Sequence, residues 1–160
     1  MIRCCVEADF PAIEAVVNEA AQAYRGVIPA DCWHEPYMTA SALKTEIDAG
    51  VNFWAWEESC ALIGIMGIQH VRDVTLIRHA YVRRAYQGRG IGGALLAFLA
   101  DQATGPLLVG TGAAAAWAIR FYERHGFRLA SPVEKDRLLR TYWSIPLRQR
   151  ETSVLLVYAR

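Results

Sequence analysis

Gln87-Gly88-Arg89-Gly90-Ile91-Gly92-Gly93 is the stretch on which the reading of this chain turns. Before it, residues 75–82 form an apolar run that reads as a strand. After it, Ile91, Leu95, Leu99 and Ala103 recur four apart, as on one face of a helix. A helix N-terminus carries four unpaired amides and about half a unit of positive charge, which makes it a ready seat for phosphate. Glycine lets phosphate oxygens come close to the backbone because no Cβ stands in the way. Arg83, Arg84 and Arg89 flank the turn, and no carboxylate in the segment from Val74 to Ala100 competes for them.

Two nucleotide-binding patterns fail on this segment. Gly88, Gly90 and Gly93 satisfy G-x-G-x-x-G, but the acidic residue that should follow about 20 positions later to hold a ribose is missing. Leu-Val-Gly-Thr-Gly occupies 108–112 instead. A phosphate loop of the G-x-x-x-x-G-K type needs a lysine after its second glycine, and the only lysines are Lys44 and Lys135.

Outward from the glycines, strands and helices alternate. Residues 2–6 read as a short strand. Asp9 then stands as N-cap of a helix with Pro11 in its first turn and Ile13, Val16, Val17, Ala20, Ala21 and Tyr24 on its apolar face. Gly26 and Pro29 open an irregular, ring-rich stretch, and residues 41–49 form a shorter helix that ends at Gly50. Strands are expected over 51–56, 61–71 and 75–82, a helix over 91–103, and a buried strand over 106–109. The helix 113–125 carries Ala114, Trp117, Ala118, Phe121, Tyr122 and His125 on one stripe, with Gly126 behind it. Strands at 127–130 and 153–159 close the pattern, and residues 131–152 fit no single period. The expectation is one α/β domain of the mixed-sheet α+β type over 1–160, without linker or repeat.

The 160 residues are 54% hydrophobic and 21% charged, with 17 basic and 16 acidic side chains and a net charge of +1. This excludes a disordered chain and a nucleic-acid binder of gross basicity. By position the balance is uneven. Residues 1–73 hold 4 basic and 11 acidic groups, residues 74–122 hold 5 and 1, and residues 123–160 hold 8 and 4. Cys4, Cys5, Cys32 and Cys60 lack any C-x-x-C spacing and read as buried free thiols in a reducing compartment, with no metal site. The first eleven residues carry Arg3, Glu7 and Asp9, unlike a signal peptide. The longest uncharged stretch, 102–119, is broken by Gly105, Pro106, Gly110 and Gly112, so no membrane span is expected. The reading is a cytoplasmic protein that meets neither nucleic acid nor membrane.

Gln87-x-x-Gly90-x-Gly92, with Tyr81-Val82 before it and Leu95-Leu96 after it, resembles the pyrophosphate-binding motif of the GNAT N-acetyltransferase superfamily. About 30 residues on, Ala118-Ile119-Arg120-Phe121-Tyr122-Glu123-Arg124-His125-Gly126-Phe127 resembles that family's second signature, A-x-x-F-Y-x-x-x-G-F. The resemblance spans essentially the whole chain. It departs from the family at Arg84, where many members have proline, and at Ala115, where many have asparagine.

The resemblance implies a central mixed, twisted sheet of about six to seven strands flanked by about four helices, with two splayed parallel strands holding acetyl-CoA, the acyl donor. Residues 82–84 would meet the pantetheine. Gln87, Gly88, Arg89, Gly90, Ile91, Gly92 and Gly93 would wrap the pyrophosphate, and residues 107–109 would form the strand across the split. Tyr122 matches the family tyrosine near the sulfur. Direct transfer to an amine also needs a base and an oxyanion donor. The family's strand glutamate is replaced by Leu76, which leaves His79 as the candidate base on that strand, beside a water route to Glu35, His34 or another first-half carboxylate. The amide of Val82 or Ala80 is the expected oxyanion donor. Regular alternation would put Arg78, Ala80 and Val82 on one face and His79 on the other, unless a bulge intervenes. His70 and His125 are expected to be structural.

By the same resemblance the acceptor would meet the loop 24–37 and the segment 135–150. Tyr24, Trp33, His34, Arg78, Tyr142 and Trp143 are its candidate contacts, and the acidic first half would suit a cationic amine of a small molecule or peptide. The same rings would equally serve packing under a loop or a homodimer interface. The alternative function, motivated by Leu76 and Ala115, is a catalytically weak acyl-CoA-binding sensor or partner module.

Overall fold

The computed structural model describes residues 1–159. Among these, seven strands form one sheet in the order β1-β2-β3-β4-β5-β7-β6. They are β1 (Ile2–Cys4), β2 (Asn52–Glu58), β3 (Ala61–Val71), β4 (Val74–Val82), β5 (Leu107–Gly112), β6 (Phe127–Leu129) and β7 (Ser153–Tyr158). The α-helices are α1 (Phe10–Ala20), α2 (Ala40–Asp48), α3 (Ile91–Ala100), α4 (Ala116–Arg124), α5 (Pro132–Tyr142) and α6 (Leu147–Glu151). The expected mixed sheet is present, with six α-helices rather than about four. The two additional ones fill the unassigned stretch 131–152. There Ser131 Oγ accepts from the Glu134 amide at 3.2 Å, and Pro132 occupies the first turn of α5.

Strand alternation divides the core between the two faces of the sheet. Leu107 and Val109 pack with Ile91, Leu95, Leu96 and Leu99 of α3, whereas Leu108, between them, packs with Leu138 and Leu139 of α5. Ile13, Val16 and Val17 of α1 and Leu43 of α2 cover Phe53, Ala55 and Ile65. Each of the larger side chains among these, Val, Leu, Ile or Phe, contributes about 1.5–3 kcal/mol when fully buried, relative to exposure.

All neighbouring strands are antiparallel except β4 and β5. That parallel pair is in register from Thr75–Leu107 to Ile77–Val109. Beyond it the strands part, because β4 follows β3 (Tyr81 opposite Ile65, Val82 opposite Gly64) while β5 follows β7 (Gly110 opposite Leu155, Gly112 opposite Ser153). The closed end of the split is fastened by Thr75, the one buried polar residue among those described. Its hydroxyl donates to the Thr104 carbonyl at 2.8 Å and accepts from the Thr104 amide at 3.0 Å.

A bulge lies within the splayed part of β4. Between the pairs Ile65–Tyr81 and Gly67–Arg78, two residues of β4, His79 and Ala80, face the single Met66 of β3. His79 adopts φ +56°, a left-handed conformation uncommon for a residue other than glycine. The bulge needs a glycine opposite, since a Cβ on Gly67 would stand 2.7 Å from the Arg78 carbonyl oxygen.

Two local expectations are corrected. The Asp9 side chain does not cap α1; it accepts from the Val6 amide at 2.7 Å and from Arg3 at 2.8 Å. The cysteines are free thiols, but Cys4 and Cys60 are exposed and Cys5 and Cys32 only half-buried, with Cys5 packed against the core beneath α1 and α2.

Candidate functional site

The split opens into two clefts. The first, about 660 Å³, lies between β4, the N-terminus of α3 and α4. Its walls include Val82, Gln87, Gly88, Gly90, Ile91, Gly92 and Gly93, with Tyr86, Phe121, Arg124 and His125. Gly88 and Gly90 both adopt φ +81°, and Gly90 is the N-cap of α3 with no side chain capping the amides behind it. A Cβ at either position would meet nothing within 4 Å, so the space above the loop is open and glycine is required there for its backbone angle. Gly93 is needed for a different reason. A Cβ there would lie 2.6 Å from Nε2 of His125, whose Nδ1 donates to the Phe121 carbonyl at 2.7 Å.

The second cleft, about 540 Å³, lies on the other side of the split. Tyr24, Ile28, His34, Tyr37 and Met38 line it from the loop after α1. Glu46 of α2 and Arg78 and His79 of β4 form a polar wall, with Trp143 and Ile145 opposite. Tyr24, Ala80, Tyr81 and Tyr122 border both clefts, so the two spaces meet at the bulge. Burial pushes the Tyr122 phenol well above its ordinary value, with the nearby Tyr24 adding to the shift. The phenol therefore keeps its proton at neutral pH. Tyr24 and Tyr37 are likewise raised, first by burial.

The bulge alters the facing of β4. Both Arg78 and His79 reach the same carboxylate, Glu46: Arg78 Nη2 at 3.2 Å and His79 Nε2 at 2.6 Å. Burial works to raise the Glu46 carboxyl, but the hydrogen bond from His79 and the charges of His79 and Arg78 outweigh it and hold the group below the usual carboxylate range. A carboxylate only accepts, so in this contact Nε2 of His79 donates its N–H to Glu46.

Not every expected residue comes to the clefts. Arg84 is exposed outside the first cleft, and its backbone amide meets Glu19 at 3.3 Å. Arg89 lies over the Tyr86 ring and pairs with Glu58 at 3.0 Å, while Arg83 pairs with Glu19 at 3.4 Å. The fold thus brings carboxylates from distant segments to arginines that have none nearby in sequence. The carbonyl of Val82 accepts from Gln87 Nε2 at 3.1 Å, so one loop residue holds the strand end that precedes it. Trp33 sits one ring behind the second cleft, against Tyr37 at 5.5 Å. Tyr142 is turned away to the β3–β4 turn, where its hydroxyl donates to Asp73 at 2.7 Å and Arg72 lies over its ring.

Of the acids in the first half, Asp31 and Glu46 line the second cleft, each already paired with an arginine. Asp9 and Glu57 pair with Arg3, Glu46 with Arg78, and Asp31 with Arg148. Sequence reasoning missed Glu46 and Arg124, and placed Tyr37 only as the end of the acceptor loop. Arg124 lies inside the second quoted motif and could have been named from it. Glu46 is one of two acids at the end of a short helix, and no local pattern ties it to β4.

The family model described as the acetyltransferase (GNAT) domain matches residues 49–129. A search of curated protein sequences gives no match. Among solved structures, the chain is similar to a PaiA N-acetyltransferase from Thermoplasma acidophilum in complex with coenzyme A. That likeness has a TM-score of 0.72 at 14% identity and covers 100% of this chain and 98% of that one. It is similar to a ribosomal-protein-alanine N-acetyltransferase from Brucella melitensis, with TM-score 0.68, 20% identity and coverage of 100% and 99%. A GNAT family acetyltransferase from Elizabethkingia anophelis with acetyl-CoA bound gives TM-score 0.66, 15% identity and coverage of 100% and 97%. At these identities the structural likeness speaks for the fold.

Proposed function

The chain belongs to the GNAT superfamily of acetyltransferases, and from that premise we propose that it moves an acetyl group from acetyl-CoA directly to a primary amine of a small molecule or peptide within a ternary complex. The observation that carries this reading is the meeting of two clefts at Ala80, Tyr81 and Tyr122. One cleft is floored by a glycine loop and a helix N-terminus suited to phosphate, and the other is walled by rings and a carboxylate-held imidazole. Two substrates approaching from opposite sides of a split sheet would bring their reacting atoms to that junction.

In the first cleft, the amides of residues 88–93 would receive the pyrophosphate, with Arg124 as the cation on its wall. The pantetheine would run along the splayed end of β4 toward Tyr122. In the second, the amine would lie near His79. His79 Nδ1 takes a proton from the amine as its nitrogen bonds to the thioester carbon, and the backbone N–H of Ala80 in the bulge donates a hydrogen bond to the developing oxyanion. The carbon–sulfur bond then breaks and the thiolate takes the Tyr122 proton. The proton held on His79 returns to solvent, and solvent restores Tyr122, so the products are an N-acetyl amine and free CoA thiol.

The test is CoA thiol release from acetyl-CoA across a panel of primary amines, with wild type beside Tyr122→Phe. Amine-dependent release is expected, and Tyr122→Phe should lower kcat by about 10²-fold with CoA affinity unchanged. Tight CoA binding without amine-dependent release from any acceptor would make the protein a binding module instead.

A further inference from the structure

Glu46 stands where helix physics disfavours it. It lies in the last turn of α2, at the negative end of the helix dipole, and its side chain is only 24% exposed. Two partners compensate it through three hydrogen bonds. Arg78 reaches both of its oxygens at 3.2 Å, and His79 reaches one at 2.6 Å. Arg78 is in turn fixed by Gln69 of β3, whose Oε1 accepts from Nη1 at 2.9 Å. An ion pair between Arg78 and Glu46 alone would need neither His79 nor the bulge. What brings His79 to the same carboxylate is the left-handed backbone at position 79, a conformation unfavourable for a residue other than glycine, which Gly67 accommodates across the ladder. The bulge also takes Ala80 out of regular pairing, at the one place where both clefts share a wall. A single distortion therefore presents an imidazole, its carboxylate partner and a backbone amide to the same point.

We propose that Glu46 is a positioning residue for acetyl transfer: its carboxylate holds the His79 imidazole as the Nε2–H tautomer, in one ring orientation, so that Nδ1 receives the proton of the attacking amine. The proposal rests on the acetyl-transfer reading above. It adds a carboxylate from α2 as the partner that orients the strand histidine, in place of a strand carboxylate acting itself. Atoms balance as in the transfer step, because Glu46 neither gains nor loses a proton and only accepts the Nε2–H bond throughout.

Two measurements on the full chain test it. The first needs no substitution: long-range proton–nitrogen NMR of histidine-labelled protein, with the His79 signals identified by their loss in His79→Asn. An Nε2–H ring with an unprotonated Nδ1 is expected, and an Nδ1–H ring would overturn the proposal. The second compares Glu46→Gln and Glu46→Asp in amine-dependent thiol release. Glu46→Gln should lower kcat by about 10²-fold, leave CoA affinity and the KM for acetyl-CoA unchanged, and lose the single tautomer. Glu46→Asp, which keeps the carboxylate, should recover part of kcat. Unchanged kcat in Glu46→Gln, or a fall in kcat matched by an equal fall in CoA affinity, would assign Glu46 a structural role only. If Glu46→Gln does not fold, the wild-type tautomer and Glu46→Asp decide. If wild type turns over no amine while His79 is the Nε2–H tautomer, the transfer reading fails and the pair is structural. If wild type turns over an amine with His79 as Nδ1–H, only the role of Glu46 fails.

Discussion

The two clefts share Tyr24, Ala80, Tyr81 and Tyr122 but are assembled in opposite ways. The glycine-loop cleft is built largely from two contiguous stretches, 81–95 and 117–125, and its proposed anion donors are backbone groups. The ring-lined cleft draws on residues scattered from Tyr24 to Ser153, and its polar groups are side chains already engaged with one another, Glu46 with Arg78 and His79 and Asp31 with Arg148. Amides at a helix end are delivered by the fold whatever the side chains are, so a cleft made of them depends on a few glycines. A cleft made of paired side chains can be retuned by one substitution. On this comparison, the first cleft would set what all substrates share and the second what distinguishes them.

The largest effect expected from breaking the comparison is at Gly90. Nothing lies within 4 Å of a Cβ at this position, so Gly90→Asp puts a carboxylate into the proposed phosphate site without displacing core atoms, and the strain of a side chain at φ +81° adds to its effect on the loop. At close range a like charge costs several kcal/mol before screening, so CoA binding should weaken by about 10²-fold, read by calorimetry, with the His79 tautomer unchanged. Undiminished affinity would remove the loop from the site.

A smaller effect is expected on the other side, from pH. The Glu46 carboxyl is held below its ordinary value of 4.5, so the pair stabilises the folded state above that pH. That contribution is lost as pH falls through the lowered folded value, because the unfolded chain takes up its proton first. Urea unfolding of wild type and Glu46→Gln should therefore converge as pH drops below about 4.5. A difference in stability between the two that does not vary with pH would show that the carboxylate is not held by His79 and Arg78.

How much of this was legible in the sequence follows the same division. The strand–loop–helix at 82–93 and the helix at 116–124 could be read because their information is local: glycine spacing, a four-residue apolar period and a ring stripe. Helix α5 was legible in principle, through Ser131-Pro132 and Glu134, but its apolar face is too thin for the period to stand out. Arg83 and Arg89 looked unopposed because Glu19 and Glu58 lie 64 and 31 residues away. Tyr142 and Trp143 are both expected at the acceptor, but adjacent residues at a helix end project in different directions, and only Trp143 lines the cleft. The bulge at His79 was foreseeable only as an exception to alternation. Its location depends on Gly67 of β3, and the pairing of Gly67 with Arg78 is a register fact no local pattern contains.

The central claim is that one junction, at the β4 bulge, serves both clefts. A crystal structure of the protein with acetyl-CoA tests it most directly. The account predicts pyrophosphate oxygens on the amides of residues 88–93 and the thioester beside Ala80, with its sulfur within hydrogen-bond reach of the Tyr122 hydroxyl. Phosphates bound away from the glycine loop, or a thioester that ends short of the wall shared by the two clefts, would contradict it.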